Sequence, residues 1–134
     1  MSHFTTVETQ IKDLVLLKRI LKEENFVFEE AKQGQKLTVK GYQGHKTEAD
    51  MVIHVSKSYD IGVRVTNKGV RFVADWWGVE TTSGMTEKEF TQKVVQKYSY
   101  YKVIEELRKK GYSLEEEETK EDNSIHIKLR KWAA

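Results

Sequence analysis

Cysteine and proline are both absent from the 134-residue sequence. Without thiols the chain cannot form disulfides, carry out thiol catalysis, or hold iron–sulfur clusters or zinc through cysteine. Without proline no turn depends on a fixed φ angle or on a cis X–Pro bond. No apolar run approaches the roughly 18 residues of a membrane span, and the start of the sequence has no signal-peptide pattern. We therefore expect a soluble cytoplasmic protein with no membrane partner.

An excess of charge of either sign is also missing. The sequence has 23 basic and 21 acidic residues, a net charge of +2 and a pI of about 8.7. A domain that binds nucleic acid is usually more basic, with a pI above about 9, so charge alone does not predict this function and no DNA partner is expected. The length and the 38% apolar content fit one domain, residues 1–134, with its own core.

The stretch Tyr59–Gly78 predicts a β-hairpin. Apolar residues alternate along positions 61–66 and again along positions 70–75, which is the period of a half-buried strand. Between them, Asn67-Lys68-Gly69 tolerates the positive φ angles of a tight turn. If the second strand runs on through Trp76 and Trp77, their side chains lie on opposite faces of the sheet. One then belongs to the core, and the other is covered by a helix or faces a partner.

Two helices and several more strands are predicted around this hairpin. A first helix is predicted from a cap at Thr5 or Thr6 to about Glu24, and a second from the capping box at 86–89 to Gly111. Further strands are predicted at 26–29, 37–39, 49–55, 112–115 and 125–129, with a loop at 41–48. The class is therefore α+β, with an antiparallel sheet of about six or seven strands and two helices packed on one face.

The two ends of the chain resemble each other. Residues 21–30 and residues 107–116 each contain the end of a helix, a stop at Asn25 or Gly111, an aromatic residue, and an acidic strand that opens a hairpin. The similarity is open to two interpretations, of which one is a pseudo-symmetric helix–hairpin duplication. The alternative is that any helix followed by a hairpin has this pattern.

Five polar residues in and beside the central strands are candidates for a polar site: Asp50, Asp60, Asp75, His45 and His54. Carboxylates at strand ends can act as general acid and base when burial separates their pKa values. The alternative is that each aspartate caps a turn or pairs with an arginine. No nucleophile elbow, phosphate-binding glycine loop, dinucleotide fingerprint or metal motif is present. The residues therefore favour a non-enzymatic protein, with no catalytic residue, metal or cofactor assigned.

Aromatic and basic residues predict an interaction surface. Exposed tryptophan is typical of protein interfaces, and Tyr100 lies off the inner face of the second helix. The sequence between residues 36 and 71 is locally basic and contains aromatic residues, a combination that binds RNA through stacking and phosphate contacts. The alternative is a solvated sheet face. The candidate surface consists of Trp76, Trp77, Tyr100, Tyr42, Arg64, Arg71 and Lys40.

Short blocks along the chain resemble a known family. They are Met1-Ser2-His3-Phe4, Gly41-Tyr42-Gln43-Gly44, Ala49-Asp50, Tyr59-Asp60-Ile61-Gly62, Ala74-Asp75-Trp76-Trp77-Gly78 and Gln96-Lys97-Tyr98. In this order they resemble the family of hypothetical chloroplast reading frame thirty-five, which is also named domain of unknown function twelve fifty-seven. The family pattern has an aliphatic residue where Trp76 stands, which makes Trp77 the better candidate for a role shared by the family.

The resemblance implies a cytoplasmic protein, or a stromal one where the gene lies in a plastid, and it brings no catalytic residue. It also implies an association with AAA-type ATPases in some bacteria. Our leading hypothesis is an accessory or protein-interaction protein, acting as a dimer or as a subunit of an assembly that could include such an ATPase. The first alternative is an RNA-binding module that uses the basic, aromatic central strands. The second is a small enzyme that uses Asp50, Asp60 or Asp75.

Overall fold

The computed structural model describes residues 3–131 of the chain. The chain divides into two compact units, Met1–Tyr98 and Ser99–Ala134. The single domain predicted for residues 1–134 stays a prediction, and the first two residues of the Met1-Ser2-His3-Phe4 block lie outside the described part. In chain order the helices and strands are β1 (Thr5–Glu8), α1 (Leu14–Glu23), β2 (Val27–Glu30), β3 (Leu37–Lys40), β4 (Lys46–Ala49), β5 (Met51–His54), β6 (Asp60–Thr66), β7 (Gly69–Ala74), α2 (Trp76–Ser83), α3 (Glu87–Lys109), β8 (Tyr112–Thr119) and β9 (Ile125–Lys131), with a 3₁₀ turn at Tyr42–Gly44.

Five strands of the first unit form an antiparallel sheet in the order β1-β7-β6-β5-β2. The predicted central hairpin is confirmed, because β6 and β7 pair from Ile61↔Ala74 to Thr66↔Gly69 around a tight turn. The remaining strands form two separate hairpins, β3–β4 and β8–β9. The α+β class is confirmed, with a third helix, α2, in addition to the predicted two.

Helices cover one face of the central sheet. Phe72 of β7 points to this face and is fully buried, as is Phe90 of α3, and their ring centroids are 5.0 Å apart. The segment that leads into α1 lies beside α3, since the backbone N–H groups of Lys12 and Asp13 donate to the Tyr98 hydroxyl at 3.2 and 3.0 Å. The main core of the first unit therefore lies between these helices and the sheet.

The β3–β4 hairpin packs on the other face of the sheet, over Gly62 of β6. Gly62 is in register with Val52 of β5 and Val73 of β7. A Cβ atom on Gly62 would lie 2.7 Å from Val39 Cγ2 and from Val73 Cγ1, and 2.9 Å from Ala49 Cβ, all closer than side chains approach one another. The missing side chain therefore allows the hairpin to approach, and Val39, Ala49 and Val52 form a second, smaller core cluster.

The predicted start of the first helix is wrong. α1 begins at Leu14, and Asp13 caps it by accepting a backbone hydrogen bond at 3.1 Å. Thr5 and Thr6 belong instead to β1, which pairs with β7. The apolar spacing of this segment fits a helix, but the open edge of β7 offers a row of backbone hydrogen-bond partners that only a strand can use.

The predicted hairpin of residues 26–29 and 37–39 is also wrong. β2 pairs with β5 through Phe28↔Ile53, and β3 pairs with β4 through Val39↔Thr47. β4 takes up the end of the predicted 41–48 loop. The two similar ends of the chain thus share a helix, a stop and a strand, but the hairpin is formed at the second end alone, by β8 and β9.

The tryptophans begin a helix and do not extend a strand, which corrects the prediction made for them. β7 ends at Ala74, and Asp75 caps α2 by accepting a hydrogen bond from the Gly78 N–H at 3.2 Å. Trp76 and Trp77 form the first turn of α2. Their side chains point in different directions because of helical geometry, which turns about 100° per residue.

The second unit contains the end of α3 and the β8–β9 hairpin, which has a bulge between Leu114 and Glu116. Tyr100 is half-buried in this unit, and its hydroxyl donates to Glu117 Oε2 at 2.7 Å. Burial and this carboxylate raise the pKa of Tyr100 to about 12. Tyr100 is therefore tied to the hairpin of its own unit and is less exposed than the sequence predicts.

Candidate functional site

A cleft of about 450 Å³, termed the basic cleft, lies beside the turn that joins β3 to β4. Its walls carry two tyrosines, a serine, two lysines and a histidine, and no carboxylate among residues 3–131 lines it. The lining residues are Lys40, Gly41, Tyr42, Gln43, Gly44, His45, Lys46, Ser58 and Tyr59. The cleft therefore combines positive charge, hydroxyl groups and aromatic surface.

The β3–β4 turn forms one wall of the basic cleft. A Cβ atom on Gly41 would lie 2.5 Å from Phe4 Cζ, so glycine is needed where the turn crosses the Phe4 ring. Gln43 and Gly44 have positive φ angles of 51° and 76°, which reverse the chain. The Gly41 N–H then donates to the His45 carbonyl at 2.8 Å and closes the turn. This closure fixes the direction in which the side chains of the turn leave the sheet.

Tyr59 forms the opposite wall. Its N–H donates to Ser56 Oγ at 3.1 Å, in the turn that precedes β6. Its ring packs on Gly78 of α2, where a Cβ atom would lie 1.8 Å from Tyr59 Cε1, and the residue is 8% exposed. Burial, with smaller effects from the charge of Asp75 and the phenol of Tyr42, raises the pKa of the Tyr59 hydroxyl. The hydroxyl therefore remains a hydrogen-bond donor at all physiological pH values.

Trp77 extends the aromatic surface beside the basic cleft. Its ring meets Tyr42 edge-on, with centroids 6.0 Å apart and planes at 85°, and 56% of the residue is exposed. Trp76 is part of the packing: its indole N–H donates to the Thr5 carbonyl at 3.3 Å, and its ring lies 6.1 Å from that of Phe90. Of these two tryptophans, Trp77 is the one available to a partner.

A buried carboxylate joins the basic cleft to the sheet. Asp60 is 1% exposed; its Oδ2 accepts the Lys40 N–H at 2.9 Å, and its Oδ1 lies 2.9 Å from His54 Nδ1. His54 Nε2 lies 3.0 Å from Glu29 Oε2. A histidine with a carboxylate oxygen at each ring nitrogen donates two hydrogen bonds in its charged form. Strands β2, β5 and β6 and the start of the cleft are thus joined by one chain of charged hydrogen bonds.

The stability of the fold is expected to depend on the charge of His54. Burial would lower the pKa of His54, but the hydrogen bonds and charges of Asp60 and Glu29 outweigh this effect and raise it above 6.5. The stabilisation that charged His54 gives to the fold is complete below the pKa that His54 has in the unfolded chain. It is lost as the pH rises through the higher pKa that His54 has in the folded protein. We expect the difference in unfolding free energy between the wild type and His54→Gln to shrink as the pH rises above the ordinary histidine pKa of about 6.5. Urea denaturation over this range measures it, and a difference that does not change with pH would show that His54 stays neutral.

Asp50 lies apart from this network. It forms an ion pair with Lys36, and its Oδ2 accepts the Val65 N–H at 2.8 Å. Burial would raise the pKa of Asp50, but the hydrogen bonds from Lys36 and Val65 and the charges of Lys36 and Arg64 lower it. Asp50 therefore stays ionised and stabilises the strand ends. This agrees with the alternative given for the aspartates, in which they have a structural role and not a catalytic one.

Asp75 and His45 are also separate from the His54–Asp60 pair. Asp75 caps α2 through Oδ1, and its buried Oδ2 has no hydrogen-bond partner among residues 3–131. His45 lies on the exposed turn of the basic cleft. Of the five polar candidates, the structure thus brings His54 and Asp60 into contact and gives the three aspartates different surroundings.

The two arginines of the predicted surface bind within the fold. Arg64 Nε donates to the Glu48 carbonyl at 2.9 Å, and Arg71 Nη2 lies 3.0 Å from Glu8 Oε1. Arg64 and Arg71 face each other across β6 and β7. These contacts brace β4 and β1 against the sheet. Glu8 partly compensates the charge of Arg71, and the charge of Arg64 interacts with that of Asp50.

Sequence reasoning did not single out Ser58 or Glu29, and it included Lys46 and Tyr59 only in the basic, aromatic stretch between residues 36 and 71. The glycine-bounded turn beside Lys46 is a signal that could have found it. No pattern in the sequence connects residues 41–46 with residues 58–59, because the contact depends on how the β3–β4 hairpin packs on the sheet.

Residues 3–131 contain neither a candidate metal cluster nor a helix suited to span a membrane. No group of three or more His, Cys, Asp or Glu side chains in this range could hold a metal ion. In the same range, no helix combines the length and the apolar character needed to cross a bilayer.

Fold and site together define a small α+β protein in which a hairpin on one face of the sheet forms a basic, tyrosine-walled cleft. The family described as "Protein of unknown function (DUF1257)" matches residues 20–128. The chain belongs to this family, which confirms the resemblance found in its sequence blocks. Three of those blocks, at 41–44, 59–62 and 74–78, meet around the basic cleft.

The curated relatives are full-length matches. The chain is 30% identical over 138 residues to "Uncharacterized protein ycf35" of Pyropia yezoensis and 31% identical over 138 residues to the protein of that name from Guillardia theta. It is 28% identical over 134 residues to the one from Cyanophora paradoxa. Each alignment covers 98% of both chains. No solved structure matches the chain.

Proposed function

We propose that the protein is a non-enzymatic interaction protein that docks a protein partner through Trp77 and Tyr42. The exposure of Trp77 supports the proposal, since 56% of a large aromatic residue faces solvent at the start of a helix. The edge-on contact with Tyr42 holds the indole in place before a partner arrives, which lowers the entropic cost of binding. Rigid aromatic side chains of this kind contribute most of the binding energy in many interfaces.

The partner in this proposal is a second copy or another subunit of an assembly. The family resemblance makes an AAA-type ATPase one candidate, in the cytoplasm or the plastid stroma. RNA binding by the central strands is the alternative function. It ranks second because Arg64 and Arg71, two of its three predicted basic residues, already bind Glu48 and Glu8.

The test is the recovery of partners by the tagged protein from its native lysate, with and without nuclease, measured by quantitative mass spectrometry. Trp77→Ala is compared with the wild type and with Val65→Ala, which truncates another apolar residue that is 46% exposed. We expect Trp77→Ala to lower recovery of a nuclease-resistant partner by at least about tenfold. Val65→Ala should recover it as the wild type does.

Two outcomes would contradict the docking proposal. If Trp77→Ala retains the partner as well as the wild type does, the surface is not the interface. If nuclease removes all partners of the wild type, RNA binding becomes the better explanation. Circular dichroism of each variant shows that it is folded, so a loss of recovery can be assigned to the surface.

A further inference from the structure

The basic cleft differs in its charge from two other clefts of the first unit. One of these, of about 580 Å³, is lined by Lys36 and Arg64 but also by Glu48 and Asp50. Another, of about 290 Å³, mixes lysines with Glu30 and Asp50. The basic cleft is lined by Lys40, Lys46 and His45 and, in the part of the chain that the structure describes, by no acidic residue. The positive charge of its lining favours an anionic ligand.

The basic cleft also contains a hydrogen-bond donor that the fold does not use. Tyr59 is 92% buried, yet its hydroxyl has no hydrogen-bond partner within residues 3–131 and is not enclosed by protein atoms. The ring is held against Gly78, so the hydroxyl cannot turn away to find another partner. The Ser58 hydroxyl lies on the same lining. A fixed, protonated phenol in a cleft whose lining also includes lysine and histidine side chains is suited to an oxyanion.

The size and the walls of the basic cleft further limit the class of ligand that it can bind. A volume of about 450 Å³ lies within the range of roughly 300–1,000 Å³ that is usual for small-molecule sites. Tyr42 and Tyr59 provide aromatic surface, and Trp77 continues it beyond Tyr42. Aromatic rings of this kind stack on planar bases with little selectivity for the base.

We propose that the basic cleft binds a small phosphate-bearing molecule with a planar ring, of the mononucleotide class. Lys46 and His45 contact the phosphate group, and the Tyr59 hydroxyl donates to one of its oxygens. The planar ring lies against Tyr42. This binding site goes beyond the proposed docking function and does not depend on it.

A mononucleotide fits this site better than an RNA strand does. A strand needs a basic track that follows several phosphates. Outside the cleft, Arg64 and Arg71 are held by Glu48 and Glu8. The cations of the cleft lining, Lys40, His45 and Lys46, occupy one short stretch of surface, with room for one phosphate group and one ring.

The experiment titrates the full-length protein with adenosine 5′-monophosphate, adenosine and inorganic phosphate, observed by calorimetry and by amide chemical shifts. We expect the monophosphate to bind at least about tenfold more tightly than adenosine or inorganic phosphate, with shifts at residues 40–46 and 58–59. Lys46→Gln and Tyr59→Phe should each weaken binding by about three- to tenfold. Lys68→Gln, which removes the same charge from the β6–β7 turn, should change it by less than about twofold.

Three results would overturn the proposal. In the first, the monophosphate gives no saturable shifts in the cleft up to about 10 mM. In the second, Lys68→Gln weakens binding as much as Lys46→Gln does, which would show that binding depends on the net charge of the protein and not on the cleft. In the third, a short oligouridine binds with steep salt dependence while the monophosphate does not, which assigns the cleft to RNA. None of these results bears on Trp77→Ala, so failure of the cleft and failure of the docking surface remain distinguishable.

Discussion

Replacement of Phe90 by alanine is expected to lower the free energy of unfolding by about 4 kcal/mol. Phe90 is fully buried, and its ring meets those of Phe72, Phe26 and Trp76 at centroid distances of 5.0, 5.5 and 6.1 Å. The four rings come from α3, β7, the segment before β2, and α2, so the truncation opens a cavity where these elements meet. Urea denaturation followed by tryptophan fluorescence and circular dichroism measures the loss.

The matched control for Phe90→Ala is Val65→Ala, a truncation at a side chain that is 46% exposed. We expect this control to change the unfolding free energy by no more than about 0.5 kcal/mol. If Phe90→Ala also costs less than about 1 kcal/mol, the aromatic cluster is not a closed core and α3 does not pack on the sheet as described. The two fluorescence and dichroism curves should coincide if the first unit unfolds in one step.

The features that were predicted correctly from the sequence depend on residues that are neighbours in the sequence. The turn between β6 and β7 follows from Asn67-Lys68-Gly69, and Gly69 has the predicted positive φ, at 137°. The capping box is formed as expected: Glu89 N–H donates to Thr86 Oγ1 at 3.0 Å, and Thr86 N–H donates to Glu89 Oε1 at 3.1 Å. In both cases the conformation depends on contacts within a few positions.

The features that sequence missed depend on distant partners. β1 forms because the edge of β7, more than 60 positions away, accepts it, as in the contact of Thr9 Oγ1 with the Val70 carbonyl at 2.7 Å. β2 and β3 are close in sequence but join different sheets, since Gly62 leaves room for the β3–β4 hairpin on the far side of the sheet. Hydrophobic periodicity reports which side of a strand is buried and does not report its pairing partner.

The same limit applies to the site. Asp60, His54 and Lys40 were each predicted as candidates, but in two separate groups, a polar site and a basic surface. The structure joins them in one network, because Asp60 bridges the Lys40 backbone and the His54 ring. Tyr59, which forms a wall of the cleft, opens the family block at residues 59–62, but that block does not indicate the role of the side chain. Its role follows from the contact with Gly78, which no local pattern indicates.

Removal of the Asp60 carboxylate is expected to be the most damaging polar substitution in this network. Asp60→Ala leaves the Lys40 N–H and the His54 ring without their common acceptor, and both hydrogen bonds involve a charged group. We expect a loss of about 3 kcal/mol in the free energy of unfolding at pH 7, measured by urea denaturation. The pH dependence that His54 confers above about pH 6.5 should weaken in this variant, since one of its two carboxylate partners is gone.

Asp50→Ala is the control for Asp60→Ala, because it removes an aspartate of the first unit whose carboxylate accepts one backbone N–H and one cationic group. The Asp50 side chain is 27% exposed and that of Lys36 55%, so water replaces much of what is lost. We expect a cost of about 1 kcal/mol for this control. If Asp60→Ala costs no more than Asp50→Ala, water reaches the Asp60 position and the carboxylate does not hold the basic cleft to the sheet. A larger cost confined to Asp60→Ala would show that burial, and not charge alone, makes this hydrogen-bond network stabilising.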